Sequence, residues 1–241
     1  MTAEADLRLG DWQTALADVD SVDTLIVDAP YSAKTHVGHD AFKDRPDNEG
    51  SPTLRKQLGY RGWDHAHVSG FVEHWHPRCR GWIVTITDHL LAQAWADSLA
   101  AAGRYVFAPV PWVALGSRVR LAGDGPSCWT CWIVVARHRC EPWSKWGTLP
   151  GAYVITTDRG ARGSCSKAPI TGTKPLALMQ ALVRDYSRPG DLICDPCAGT
   201  GTTLLAARSL GRRSVGAELD PKTHAFASQR LLCSWQPELF A

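Results

Sequence analysis

Hydrophobic positions recur along this chain in two rhythms, and the two alternate. Residues 24–28, "TLIVD", form an unbroken apolar run closed by an acid, the pattern of a parallel strand covered on both faces. "WIVTI" (82–86), "CWIVVAR" (131–137) and "DLICD" (191–195) repeat it. "LRLGD" (7–11) and "RYVFAPV" (104–110) read as shorter strands, and "RSVGAEL" (213–219) as a strand that ends in an acid. Helical spacing fills the gaps. Residues 66–76 form one helix, and 89–103 a second that stops at Gly103. A third follows Thr173, with Thr173 as its N-cap, Pro175 in the first turn and Leu176, Met179, Leu182, Val183 and Tyr186 on one face. Residues 198–211 are a glycine-rich turn running into a helix, and Pro221 opens the last one. Strand and helix alternate throughout, which predicts a doubly wound α/β fold with a mostly parallel sheet. No repeat or linker divides residues 1–241, so one domain is expected.

Three stretches break the rhythm. Residues 32–65 are polar and rich in Gly, Pro, Asp and Lys, and read as a long loop at the substrate side. They carry Lys34, Lys43, Arg45, Arg55, Lys56 and Arg61, but also five acids, so a solvated mobile loop is an equal reading. Residues 111–128, with Arg118 and Arg120, form another loop. Residues 138–172 set Arg139, Lys145, Arg159, Arg162 and Lys167 against Glu141 and Asp158, with Trp143, Trp146 and Tyr153 interleaved. Bases and aromatics mixed in this way suit contact with nucleic acid.

Composition narrows the picture only a little. A formal net charge of +2 neither demands nor excludes a nucleic-acid partner, so the local patches decide. No apolar run approaches the length of a membrane span, and the first residues lack the layout of a signal peptide. A cytoplasmic protein without a membrane partner is expected. Eight cysteines then read as reduced thiols. Cys128 and Cys131 make a CxxC, and His65, His67, His74, His76 and Cys79 lie close in sequence. No second CxxC completes a set of four ligands, so packing cysteines and surface or substrate-facing histidines are expected rather than a zinc site.

The richest local signal is "DLICDPCAGTGTTLLAA". A strand ends at Asp195, and Gly199 and Gly201 lie in the turn before a helix. Glycines let the backbone approach a ligand, and a helix N-terminus offers free N–H groups. The next strand ends at Glu218, where an acid can accept both hydroxyls of a ribose. This is a nucleoside-binding pattern.

"DPCAGTGTT" resembles the S-adenosylmethionine motif of amino-group DNA methyltransferases. The block from "GTKPLALMQ" to "VGAELD" is similar to the continuous C-terminal part of that family, and "DAPY" (28–31) resembles its catalytic DPPY. Catalytic motif first and cofactor motif last is the permuted order of the family's beta class. The resemblance implies a Rossmann-like methyltransferase fold using S-adenosyl-L-methionine. Thr173, Lys174 and Pro175 would help to form the cofactor pocket, with Asp195, Pro196, Cys197, Gly199, Gly201 and Thr202 lining it. Lys174 can also be read as a solvated residue at a helix start. Glu218 would hold the ribose, and Asp11 of "GDW" would lie near the adenine of the cofactor. Asp28, Ala29, Pro30 and Tyr31 would carry catalysis on a flipped-out base: the Asp28 carboxylate and the Ala29 carbonyl accept the two amine N–H bonds, and Tyr31 stacks on the ring. No metal is required by this chemistry.

Asp first and Tyr last in that motif favour adenine N6 in double-stranded DNA. Cytosine N4 is the alternative, followed by action on RNA or a protein amide and by a relative that binds nucleic acid without catalysis. Residues 138–172 stand where beta-class relatives often carry target recognition. Homodimerisation and a restriction endonuclease partner are left open.

Overall fold

The computed structural model describes residues 4–35, 61–114, 129–139, 146–156, 170 and 172–233. Chain order gives β1 (Ala5–Leu9), α1 (Trp12–Ala15), β2 (Thr24–Asp28), α2 (His65–Trp75), β3 (Ile83–Thr87) and α3 (Ala92–Ala101). Then come β4 (Tyr105–Val106), β5 (Val110–Val113), β6 (Thr130–Arg137), β7 (Tyr153–Val154), α4 (Leu176–Tyr186), β8 (Leu192–Asp195), α5 (Thr202–Ser209), β9 (Arg213–Glu218) and α6 (Pro221–Cys233). The strands share one sheet in the order β1-β9-β8-β2-β3-β6-β5-β7, with β4 paired to β6. From β1 to β3 every pairing is parallel. Strand β6 runs antiparallel to β3, β4 and β5, and β5 pairs parallel with β7.

Period-two alternation divides β2 between two cores. Leu25 and Val27 face a layer that contains Val68, Phe71, Val72 and Trp75 of α2 and Trp95 and Leu99 of α3. Ile26 faces the opposite layer, with Leu178, Met179, Leu182 and Tyr186 of α4 and Ala206 and Ala207 of α5. Asp64 caps α2, its carboxylate accepting from the His67 N–H at 3.0 Å. From β2 the chain crosses by α2 to β3 on one side; from β8 it crosses by α5 to β9 on the other. The gap between β8 and β2 is therefore the switch point of the sheet. In open α/β sheets, ligands bind outside the carboxyl ends of the strands at that point.

Several boundaries differ from expectation. The first strand begins two residues earlier and does not include Gly10-Asp11, because Asp11 caps α1. The stretch 104–110 is split into β4 and the start of β5. Thr173 does not cap α4: the N-cap is Pro175, and the Thr173 hydroxyl donates to the Ile170 carbonyl at 2.9 Å. Proline has no N–H and its ring fixes φ, so the helix starts one residue after it without a side-chain cap. Most of the basic loop 32–65 lies outside the described residues, as do Arg118, Arg120, Lys145, Arg159, Arg162 and Lys167. Among the described residues no helix is long and apolar enough to cross a membrane.

Candidate active site

Three neighbouring parallel strands end in acids at one end of the sheet, and a fourth acid follows the next strand. Strand β2 ends at Asp28, β8 at Asp195 and β9 at Glu218, while Asp11 follows β1. The charges of Asp195, Glu218, Asp28 and Asp11 all act on the Cys197 thiol, which burial first of all pushes well above its ordinary range. The acids predicted from separate parts of the chain thus converge around one crevice.

Asp195 is buried, and its Oδ1 accepts from the Cys197 N–H at 3.2 Å. The turn after it is held by the Ala198 N–H donating to the Ala217 carbonyl at 2.8 Å. Gly199 and Gly201 adopt φ of +53° and +74°, a region that side-chain-bearing residues rarely enter. Gly201 is the N-cap of α5 and provides no capping side chain, which leaves that helix end to backbone donors. Pro196 and Thr202 are buried beneath the turn. Arg230 of α6 donates to the Thr200 carbonyl at 3.1 Å and to the Thr202 hydroxyl at 2.7 Å, tying α6 to this turn.

Burial pushes the Asp195 carboxyl up to about 7, helped by the nearby charges of Asp28 and Glu218 and opposed by hydrogen bonds from Thr203 and Cys197. A carboxyl raised in the folded state favours folding while it is protonated, and that contribution is lost as pH rises through about 7. The empty protein should therefore lose stability between pH 4 and pH 7, by on the order of a few kcal/mol from this group. Asp195→Asn removes the titration. Its melting temperature should gain on the wild type as pH rises from 5 to 8; a constant gap between the two curves would refute the assignment.

Glu218 is half-buried, and burial raises its carboxyl. Its Oε1 accepts from the Asp220 N–H at 2.8 Å, and the Gly199 N–H also donates to its carboxylate. Asp220 in turn accepts from the N–H and hydroxyl of Thr223, each at 2.8 Å. Asp11 accepts from the Gln13 N–H at 2.9 Å, so its visible task is to cap α1 beside the crevice.

Asp28 lies across the switch point. Its Oδ2 accepts from the Lys174 ammonium, while its buried Oδ1 has no hydrogen-bond partner among the described residues. Burial raises the Asp28 carboxyl, against the lowering influence of Lys174 and Tyr31. Ala29 is buried in the core layer of α2 and α3. Pro30 is partly exposed, and Tyr31 donates from its hydroxyl to the Cys131 sulfur of β6 at 3.5 Å.

Three supporting residues escaped the sequence reading. Asp88, buried just past β3, accepts from the Ser32 N–H at 3.0 Å, the Ser32 hydroxyl at 2.5 Å and the Thr35 hydroxyl at 2.5 Å. Burial alone would raise its carboxyl, but these bonds hold it below its ordinary range. It pins the chain just beyond the Asp28 turn. The Trp63 N–H donates to the Tyr31 carbonyl at 2.9 Å, which brings the far end of the long loop back to the same turn. Gly216 pairs opposite Asp195, where a Cβ would come within 2.8 Å of the Asp195 carbonyl oxygen. The only advance signals were an acid after "VTIT" and a glycine two residues before Glu218.

The cysteines weighed as metal ligands have other partners. The Cys79 thiol donates to the Trp82 carbonyl at 3.2 Å inside the core, and Cys131 faces Tyr31. Cys128 lies outside the described residues. Among the described residues no group of three or more His, Cys, Asp and Glu side chains is placed to hold a metal ion.

Comparison with known proteins agrees with this geometry. A family model for N6/N4 methyltransferases, described as DNA methylase, matches residues 117–229. A putative methylase YubD of Escherichia coli strain K12 is 40% identical over 58 residues, or 24% of this chain and 26% of that protein. The type II methyltransferase M.MthZI of Methanothermobacter thermautotrophicus is 50% identical over 46 residues, 19% of this chain and 13% of its own. This chain thus spans little more than a quarter, or less, of those relatives' length. Among solved structures, a complex of M1.HpyAVI with SAM superposes with a TM-score of 0.65 at 20% identity, covering 94% of this chain and 99% of that one. The PvuII DNA methyltransferase, cytosine-N4-specific, gives a TM-score of 0.69 at 13% identity over 100% of this chain and 89% of its own. These likenesses establish the α/β methyltransferase fold. Over residues 117–229, which hold its glycine-rich block and two of its acid-ended strands, the chain is similar to the N6/N4 amino-methyltransferases of DNA.

Proposed function

We propose that the protein moves a methyl group from S-adenosyl-L-methionine to the exocyclic N6 of adenine in a base flipped out of double-stranded DNA. The observation that carries this reading is the meeting of Asp28 with the acid-lined crevice at the switch point between β8 and β2. The residues present suit the cofactor. Its sulfonium and ammonium are cations, and the crevice gathers Asp11, Asp28, Asp195 and Glu218. Glu218 would accept the ribose hydroxyls, and the glycine turn and the start of α5 would line the pocket around Asp195. When bound, the cofactor supplies an activated methyl group on sulfur.

The chain's own residues address the weak point of the reaction. The lone pair of an aromatic amine is delocalised into its ring, so the neutral amine is a poor nucleophile. An acceptor on the N–H draws the lone pair toward the methyl donor and stabilises the charge that builds on nitrogen. Asp28, with one oxygen unpartnered among the described residues, is such an acceptor. The Ala29 carbonyl would take the second N–H, and Tyr31 would stack on the base. A base within a duplex cannot reach this crevice and must leave the stack.

Asp28 with Tyr31 favours adenine; the likeness to a cytosine-N4 enzyme keeps that base as the alternative. Labelled S-adenosylmethionine incubated with unmethylated duplex DNA, followed by digestion to nucleosides, decides between them. Methyladenine supports the reading, methylcytosine the alternative, and cofactor binding without transfer a binding protein. Glu218→Ala should weaken cofactor binding by about 10-fold or more, since a charged acceptor left out of two hydrogen bonds costs about 1.5 kcal/mol or more. Unchanged affinity by calorimetry would remove its assigned role.

A further inference from the structure

We infer that Lys174 is a positioning residue that holds the place of the target amine on Asp28 and leaves it when cofactor and base bind. The inference rests on the methyl-transfer reading above and goes beyond it. The Lys174 ammonium donates to Asp28 Oδ2, and its nitrogen lies 5.2 Å from the centre of the Tyr31 ring. These are the carboxylate and the aromatic face assigned to the incoming amine. A site built to stabilise positive charge developing on a nitrogen also suits an ammonium, which already has that charge. A lysine ammonium therefore suits this site and competes with the amine for it.

The local structure aims Lys174 there and also gives it somewhere to go. Thr173 is tied to Ile170, and Pro175 is the N-cap of α4, so the backbone on either side is held. The pair is largely shielded from solvent, with 12% exposure for the Lys174 side chain and 24% for that of Asp28. The Gly172 carbonyl is a second acceptor, 3.4 Å from the ammonium. A flexible four-carbon stem lets the ammonium pass from carboxylate to carbonyl without moving the main chain.

Electrostatics supplies the cause of release. Asp28 shares its crevice with Asp195, Glu218 and Asp11. Positive charge brought into that crevice neutralises the same carboxylates and loosens their hold on Lys174. The groups facing Asp28 are Lys174 from the segment before α4, Tyr31 on its own turn, and Asp195 and Cys197 from the end of β8, with Glu218 beyond them. Asp88, past β3, is taken up by Ser32 and Thr35. Lys174 is the cation among them, and it opposes the effect of burial on Asp28. Without it, Asp28 ionises only at higher pH.

The test is the pH profile of methyl transfer to unmethylated phage duplex DNA by the wild type, Lys174→Met and Lys174→Arg. The acid limb of kcat/KM reports the free enzyme and that of kcat reports the bound complex. In Lys174→Met, the KM for DNA should fall several-fold and the acid limb of kcat/KM should move to higher pH, while the acid limb of kcat stays where the wild type has it. Lys174→Arg should keep both limbs. If both limbs move together in Lys174→Met, the ammonium stays on Asp28 through the reaction and the inference is overturned. A KM for DNA that rises while neither limb moves overturns it as well. Lys174→Gln, checked for melting temperature and cofactor affinity, replaces the Met variant if that one folds poorly. A wild-type protein that transfers no methyl group to DNA overturns the methyl-transfer reading, and this inference with it; the limbs overturn the inference alone.

Discussion

Asp28→Ala should lower methyl transfer by about 10²–10³-fold, the scale of losing a preorganised partner of developing charge. Cofactor affinity should stay within about threefold, because the contacts assigned to the cofactor centre on Asp195 and Glu218. The strand that carries Asp28 is paired on both sides, with β8 and β3, so the side chain can be removed without loosening its support. The substitution also frees the Lys174 ammonium, which is why melting temperature must be measured alongside single-turnover transfer. A folded Asp28→Ala protein that still methylates DNA at near wild-type rate would sink the mechanism. Asp28→Asn keeps an acceptor oxygen but loses the charge, and should fall between the two.

Gly216→Val should damage both stability and cofactor binding. The cause is space, because Gly216 is absent from the glycines with positive φ among the described residues. A Cβ there would lie 2.8 Å from the Asp195 carbonyl oxygen, 3.0 Å from a Leu204 methyl and 3.2 Å from the Ala198 Cβ. Two of these neighbours belong to β8 and its turn, and the third to α5, so β8, the turn and α5 must all give way. Overpacking of this kind costs about 1–3 kcal/mol, and each kcal/mol lowers Tm by about 2–4 °C in a chain of this size. Cofactor affinity should fall by about tenfold or more, since the displaced atoms are those that aim Asp195 into the crevice. Gly216→Ala should show the same trend more weakly. A Gly216→Val protein that melts and binds cofactor like the wild type would show that this close packing does not shape the pocket.

Much of the fold could be read in advance, for a physical reason. Strands buried on both faces need unbroken apolar runs, and "TLIVD", "CWIVVAR" and "DLICD" announce themselves as such. Boundaries read less well where two uses compete for one residue. Asp11 looked like a strand end but caps α1, and Thr173 looked like a cap but bonds to Ile170. The split of 104–110 into two strands reflects tertiary pairing: β4 and β5 each find a different part of β6. Local pattern has no access to that choice.

The candidate site divides in the same way. By itself the sequence determined the chemical types and their order: an acid, alanine, proline and tyrosine after one strand, a glycine turn after another acid-ended strand, and Glu218 at the end of the next. These are carried by contiguous residues, whose local backbone preferences and side-chain chemistry are legible without a fold. Only the tertiary structure decided that the four acids share one crevice, that Lys174 rests on Asp28, that Asp88 pins Ser32 and Thr35, and that Gly216 must be small. Each of these joins positions far apart in the chain. Their proximity follows from which strands lie side by side in the sheet, and strand order is set by the packing of the whole core.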